Sequence, residues 1–395
     1  MAKALDGIKV LDLSRALAGP YCTMMLADMG AEVIKVEMPG TGDDSRSWGP
    51  PFVEGESAYF MSINRNKKSI ALDMKGDKAI EIITKLIRQS DVLVENFRPG
   101  AMERLGLSYE QVKVMNPRLV YCSISGFGQD GPYRLLPGFD QVLQGMGGLM
   151  SITGEPEGPP VKVGVAIADI SGGMFAAYGI VVALFNREKT GRGQIVDISL
   201  LDSQVAWLTY RAGAYFTSGE IPKPVGSGHP VIVPYQAFKA KDVYINIAVG
   251  NDQLWGKFCK AVGLEGIMNN PRFATNAKRV ENRDEVVKAV SDLIATRKGE
   301  EWLKILTDAG VPCGPIYTVD KIFADPQVIH RQMMVELDHP RAGTIKVTGI
   351  PVKLSDTPGE VKTAPPFLGQ HTQEVLGGLG YSAKDIEELR QAKII

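Results

Sequence analysis

The chain has 395 residues, 44% apolar and 23% charged, a globular composition that excludes disorder, collagen and coiled coil. Lysine plus arginine is 44 and aspartate plus glutamate is 45, so the net charge of −1 provides no pull toward nucleic acid or an anionic membrane. Cys22, Cys122, Cys259 and Cys313 lack CxxC spacing, and His229, His330, His339 and His371 are scattered, so no disulfide framework, metal site or Ser-His-Asp triad is expected. The opening MAKALDGIKVLDLS has no apolar signal core, and a cytoplasmic location is expected.

In chain order, residues 8–13 (IKVLDL) alternate with a strand period, and residues 31–37 (AEVIKVE) form a second candidate strand. Between them Gly19-Pro20 opens a helical run closed by Gly30, which completes a βαβ unit. Residues 77–90 carry a helical stripe of Ile80, Ile83, Leu86 and Ile87, followed by a strand at 91–97, a helix at 109–115 and a strand at 119–125. Strands alternating with helices predict an α/β fold with a Rossmann-like parallel sheet. The first βα turn, Ser14 to Pro20, lacks GxGxxG, which disfavours a dinucleotide dehydrogenase.

Residues 163–185 contain Asp169 as their one ionisable side chain besides the phenol of Tyr178. The central carboxylate, four glycines and the polar NREKTGRGQ that follows argue for a buried core helix rather than a membrane span. A strand at 194–200 and a helix at 201–210 come next. From residue 226 the texture changes to two short strand-like runs and helices at 252–262, 283–295 and 299–309, with turn chemistry at 310–315. The predicted organisation is a large domain over 1–225, to which 330–395 return, and a smaller α+β domain over 226–329.

Asp169 is the leading chemical candidate. A carboxylate among small apolar residues must be hydrogen-bonded, paired or protonated, and the start of a helical run at 170–187 would hold it ionised through backbone N–H groups and the helix dipole. Gly172 and Gly173 beside it suggest close ligand approach; the plainer reading is an N-cap aspartate. Asn96, Phe97, Arg98, Pro99 and Gly100 follow a strand and open a helix holding Arg104, a place where α/β sheets bind phosphates, though solvated basic loops are common. GFGQDGP at 126–132 ends another strand and precedes Arg134 and PGFD at 137–140, while Trp48 and Tyr59 flank a Gly/Pro-rich loop.

Taken together, LDGIKVLDLSRALAGPYCTMMLADMGAEVIKVE, GDDSRSWGPPF, NRNKKSIALD, VLVENFRPGAMERLGL, NPRLVYCSISGFGQDGPY, PGFDQV and VGVAIADISGGMFAAYG resemble the class III coenzyme A transferases. That family includes formyl-CoA:oxalate, carnitine and succinyl-CoA:dicarboxylate transferases, and the resemblance spans essentially the whole chain. It implies that Asp169 is the nucleophile, attacking an acyl-CoA thioester to give an aspartyl mixed anhydride and then an aspartyl-CoA thioester. It further implies CoA contacts at Leu17, Ala18, Leu72, Lys75, Asn96, Phe97, Arg98, Arg104 and Arg134. Met38 stands where some members have an arginine. The implied assembly is an interlocked homodimer, the only cofactor is coenzyme A as acyl-CoA substrate, and the partner is a small carboxylic acid.

Acyl-CoA racemases share the family fold but place a histidine before aspartate in a GHD motif; here the motif is Gly138-Phe139-Asp140, and phenylalanine takes no proton. A non-catalytic CoA-binding module is disfavoured by the complete motif around Asp169. Oxalate-acting members carry a run of glycines that is missing here, so succinyl-CoA and a dicarboxylate are the favoured pair, with formyl-CoA:oxalate exchange as the alternative. Arg15, Arg46 and His229 are the candidate cations for a second carboxylate, and Trp48, Tyr59 and Phe139 the candidate pocket walls.

Overall fold

The computed structural model describes residues 2–395. Six strands form one parallel sheet: β1 (Lys9–Asp12), β2 (Glu32–Glu37), β3 (Lys67–Ala71), β4 (Val92–Glu95), β5 (Val120–Ser125) and β6 (Ile195–Ser199). Their spatial order is β3-β2-β1-β4-β5-β6, in which β1 lies between β2 and β4 with Val10 opposite both Val33 and Val92. This is the doubly wound order of a Rossmann-like sheet, and its topological switch point falls between β1 and β4.

Strand periodicity sorts the core into two layers. Val10, Val94 and Cys122 face one side, where they pack on α1 (Ala18–Asp28), while their neighbours Leu11, Leu93 and Tyr121 face the other. The chain then supplies α2 (Ala58–Ile63), α3 (Asp77–Gln89), α4 (Ala101–Arg104), α5 (Tyr109–Met115), α6 (Asp140–Met146), α7 (Ile167–Thr190) and α8 (Leu200–Trp207). Helix α3 buries Ala79, Ile82, Ile83, Leu86 and Ile87, a 3.6-residue stripe seated on the second layer.

Helix α7 begins at Ile167, three residues before the expected run at 170. It is long and apolar enough by length and composition to cross a membrane, and one of its faces is seated in the first layer through Ala168, Ala176, Ile180 and Ala183. The other face exposes Tyr178, Val181, Val182 and Phe185. Residues 363–372 return to β3: Thr363 O accepts from Asn66 N–H, and Ser69 O accepts from His371 N–H.

The contacts divide the chain into two units. The first comprises residues up to Leu149, Lys162–Gly213 and Pro326–Ile395; the second comprises Met150–Val161 and Ala214–Asp325. The second unit therefore starts twelve residues before the expected 226 and also takes in 150–161. It holds a three-stranded antiparallel sheet of Cys313–Pro315, Tyr244–Ala248 and Tyr235–Lys239 around Trp255, Phe258 and Trp302. The expected turn at 310–315 is in part an edge strand, a position in a sheet where Pro315 can lack an N–H without cost.

Candidate active site

A cleft of about 350 Å³ opens at the carboxyl ends of the sheet strands, at the switch point. After β1 it is lined by Arg15, Ala16, Leu17 and Ala18, and after β4 by Asn96, Phe97, Arg98 and Pro99. Ser125, Gly126, Arg134 and residues 136–139 close it beyond β5, Leu200 beyond β6, and Asp44 and Trp48 complete the rim around Asp169.

The turn after β1 is clamped by buried side chains. Ser14 N–H donates to Asp12 Oδ1 (3.0 Å), Lys35 Nζ donates to Ser14 O (2.7 Å), and Ala16 N–H donates to Asp43 Oδ1 (3.1 Å). Asn96 accepts from Arg15 N–H at 2.8 Å and donates to Arg15 O at 2.7 Å. Ala16 is thereby held at φ 65°, a left-handed conformation that a non-glycine residue keeps only when its surroundings enforce it. Lys35 and Asp43 meet at 2.8 Å with neither side chain exposed. Burial is the largest influence and would raise the Asp43 carboxyl, but Lys35 and the hydrogen bonds from Ser45 together outweigh it and hold the group down at about 2.

Asp169 is the third residue of α7, and the N-cap position is Ala166, which has no side chain to offer. The Asp169 carboxylate makes no hydrogen bond or ion pair among the described residues. Burial, joined by the like charge of Asp140, pushes it up to about 7. Burial and the charge of Asp140 thus act against the ionised form that the helix start was expected to favour. The cap is instead tertiary, since Ala168 N–H donates to Asp140 Oδ1 at 2.8 Å. Tyr59 packs with Ala166 and Ile170 beside this turn, its ring edge-on to Trp48 at 4.9 Å, and burial with the negative charge of Asp169 pushes its phenol up to about 12.

The reading of Gly172 and Gly173 as room for a ligand is also corrected. A Cβ on Gly172 would stand 2.2 Å from Leu200 Cδ2, and one on Gly173 would stand 2.6 Å from Ala18 O, so these glycines are filled by α8 and α1. They bring the start of α1 against the turn that carries Asp169.

Among the other predicted residues, Leu17, Ala18, Asn96, Phe97, Arg98, Arg134, Arg15, Trp48 and Phe139 share the cleft with Asp169. Leu72 and Lys75 line an adjoining apolar slot of about 210 Å³ with Met38, Met74 and Leu105, and Arg15 and Phe97 border both spaces. Arg104 is exposed on α4 and lines neither. Arg46 is corrected as a substrate contact: it is bidentate to Glu37 (2.6 and 2.7 Å), stacked on Phe60, and absent from the cleft lining. His229 belongs to the second unit, its ring beside Tyr235. Sequence reasoning missed Asp44, which faces Arg15 at 3.5 Å, and gave Asp140 no role, although PGFD was visible. Among the described residues no group of three or more His, Cys, Asp or Glu side chains is placed to hold a metal.

A carboxylate without a partner in an α/β switch-point cleft, beside arginines able to hold phosphates, suits covalent acyl chemistry on a nucleotide-tailed thioester. The chain belongs to CoA-transferase family III, whose model matches residues 5–372. It is 45% identical over 394 residues to succinyl-CoA:glutarate CoA-transferase of Homo sapiens, covering 100% of this chain and 90% of that one. It is 40% identical over 363 residues to acetyl-CoA:oxalate CoA-transferase of Acetobacter aceti, covering 91% and 92%. A crystal structure of a CAIB/BAIF family protein from Brucella suis superposes with a TM-score of 0.86 at 41% identity, covering 96% of this chain and 100% of that one. The protein is a CoA-transferase.

Proposed function

We propose that the enzyme moves CoA from succinyl-CoA, or a similar acyl-CoA, to a C4–C5 dicarboxylate, with Asp169 as the covalent carrier. A carboxylate oxygen of Asp169 attacks the thioester carbonyl, giving an aspartyl–acyl anhydride and CoA thiolate. The thiolate attacks the Asp169 acyl carbon, forming an aspartyl-CoA thioester and releasing the first acid as a carboxylate. The acceptor carboxylate then attacks that thioester to form a new anhydride, and the thiolate takes the acceptor's acyl group, which frees Asp169. No step consumes water, and the thioester's energy is retained as long as water is kept out.

The observation that carries this reading is the lone Asp169 carboxylate in the cleft. Arg98 and Arg134 have no carboxylate partner among the described residues and suit the CoA phosphates; the apolar slot at Leu72, Met38 and Phe97 suits a flat base. Arg46 is consumed by Glu37, and Arg15, on the cleft rim in an exposed pair with Asp44, is the cation we assign to a second carboxylate. The relatives acting on glutarate and on oxalate support a dicarboxylate acceptor. A racemase is disfavoured because Phe139, in the cleft wall before Asp140, carries no proton.

The exposed apolar face of α7 supports a homodimer, which we take to be interlocked as in the family, and four free thiols support a cytoplasmic setting. The test is an acceptor screen with succinyl-CoA, in which transfer to glutarate and other C4–C5 dicarboxylates exceeds transfer to oxalate and monoacids. Asp169→Ala is expected to abolish transfer while still binding CoA. Peptide mass mapping after treatment with acyl-CoA and hydroxylamine, which converts an activated aspartyl carbonyl to a hydroxamate, is expected to find that modification on Asp169; a hydroxamate elsewhere overturns the mechanism.

A further inference from the structure

A helix leaves its first backbone N–H groups without intrahelical acceptors, and a side chain at the N-cap usually supplies one. In α7 that position is Ala166, and the acceptor comes from α6, 28 residues earlier in the chain. Asp140 Oδ1 takes the Ala168 N–H at 2.8 Å, and Asp140 Oδ2 takes Gln144 Nε2–H at 2.7 Å. Gln144, fully buried, uses its own Oε1 to accept Val163 N–H at 2.9 Å and its Nε2 to reach Val165 O at 3.4 Å. Two side chains one turn apart on α6 thus hold the segment 163–168 at three backbone points, and Asp169 is the next residue.

The approach of α6 has its own local cause. Gly126, at the end of β5, and Gly138, just before α6, meet backbone to backbone; a Cβ on Gly126 would stand 2.9 Å from Gly138 Cα. Any side chain there would push Asp140 away from α7.

We infer that Asp140 is a positioning residue for Asp169, acting through the Ala168 amide that it holds and through its own negative charge. This rests on the reading of Asp169 as nucleophile. The amide contact fixes the turn that aims the carboxylate, and errors of about 1 Å in such placement cost on the order of 100-fold in rate. The charge adds to burial in making Asp169 hold its proton, and its electron pair in the ionised form is correspondingly more basic and more nucleophilic. Other charged or titratable groups near Asp169 are Tyr59 from α2, Arg15 and Asp44 on the rim, and Arg98 and Arg134 from the loops after β4 and β5. Asp140 is the one whose charge raises the Asp169 carboxyl, second only to burial.

The two actions separate experimentally. Asp140→Asn keeps an oxygen for the Ala168 amide and removes the charge; Asp140→Ala removes both; Asp140→Glu restores the charge. kcat is measured against pH for each, with a thermal melt and with Asp169→Ala in parallel. For Asp140→Asn, the acidic limb of the kcat profile is expected to move down by about half a pH unit or more, with KM for acyl-CoA within about twofold. For Asp140→Ala, kcat is expected to fall roughly 10- to 100-fold across the whole pH range, with partial rescue in Asp140→Glu. An unmoved limb in Asp140→Asn overturns the electrostatic role. An unchanged kcat in a folded Asp140→Ala overturns the positioning role. If Asp169→Ala keeps transferring CoA, the nucleophile assignment falls instead, whatever the Asp140 variants do.

Discussion

The carbonyl oxygen of Ala18 lies 2.6 Å from where a Cβ on Gly173 would be, so α1 and α7 touch through a glycine at the level of the cleft. The contact binds the turn that lines one wall of the site to the helix that carries Asp169. Gly173→Ala is expected to lower stability by about 1–3 kcal/mol, because a backbone oxygen cannot swing aside, and to reduce transfer as the helices separate. Urea midpoints and kcat of the variant check this; wild-type values for both would mean that the helix pair yields without cost.

The protonation of Asp169 has consequences for rate and for stability. Transfer needs the ionised carboxylate, so with the group at about 7 the rate is expected to fall as pH drops from 8 to 6. An acidic limb near 4 would show a solvated carboxylate instead.

For stability the sign runs the other way. The folded state holds the Asp169 proton up to about 7, and the unfolded chain releases it from 3.8 upward, so raising the pH through that window favours unfolding. Asp169→Asn removes this penalty. Its melting temperature is expected to match wild type at pH 4, to exceed it increasingly up to pH 7, and to keep a constant excess above. The gain at the plateau should be of the order of a few kcal/mol, a stability cost accepted at a reactive site. Melts at pH 4, 6 and 8 test it, and equal melting temperatures at pH 8 contradict it.

Much of this architecture is legible in the sequence, and the parts that are not share a cause. Alternation in IKVLDL, the stripe of α3 and the uncharged run of α7 are local signals, and each produced an element close to the expected bounds. The start of α7 was misplaced because its cap, Asp140, comes from another helix, and no local signal marks a tertiary acceptor. Gly172 and Gly173 read equally well as a ligand's approach or a helix's, and only packing decides between them. Arg46 shows its charge in the sequence but not the Glu37 that neutralises it across a turn. The edge strand at Cys313–Pro315 was hidden by the Gly-Pro chemistry that ordinarily marks a turn.

Lys35 and Asp43 form a buried pair whose rupture is costly. Lys35→Met would leave the Asp43 carboxylate without its cation, and a loss of roughly 3–5 kcal/mol is expected. Lys35→Met/Asp43→Asn should recover part of it, since no charge is then stranded. A single variant as stable as wild type would show that water or another cation replaces the lysine.

The free guanidinium groups of the cleft predict a separation of kinetic constants. Arg98→Ala and Arg134→Ala should each raise KM for acyl-CoA by about 10- to 100-fold with kcat nearly unchanged, as befits contacts to a phosphate that does not react. The deficit should shrink as salt is added, because screening weakens the wild-type attraction. Unchanged KM in both variants would place the phosphates elsewhere.

Residues 363–372 are stitched to β3, with Asn66 accepting from Thr363 N–H at 2.9 Å and Ala71 N–H donating to Thr372 Oγ1 at 2.9 Å. Because 214–325 lie between these partners in the chain, a ribosome delivers a complete second unit while the first still lacks its returning segment. During synthesis the nucleotide-cleft half therefore waits, half-built, for a stretch translated some 290 residues after β3, and nascent-chain proteolysis should find 214–325 protected before 67–71.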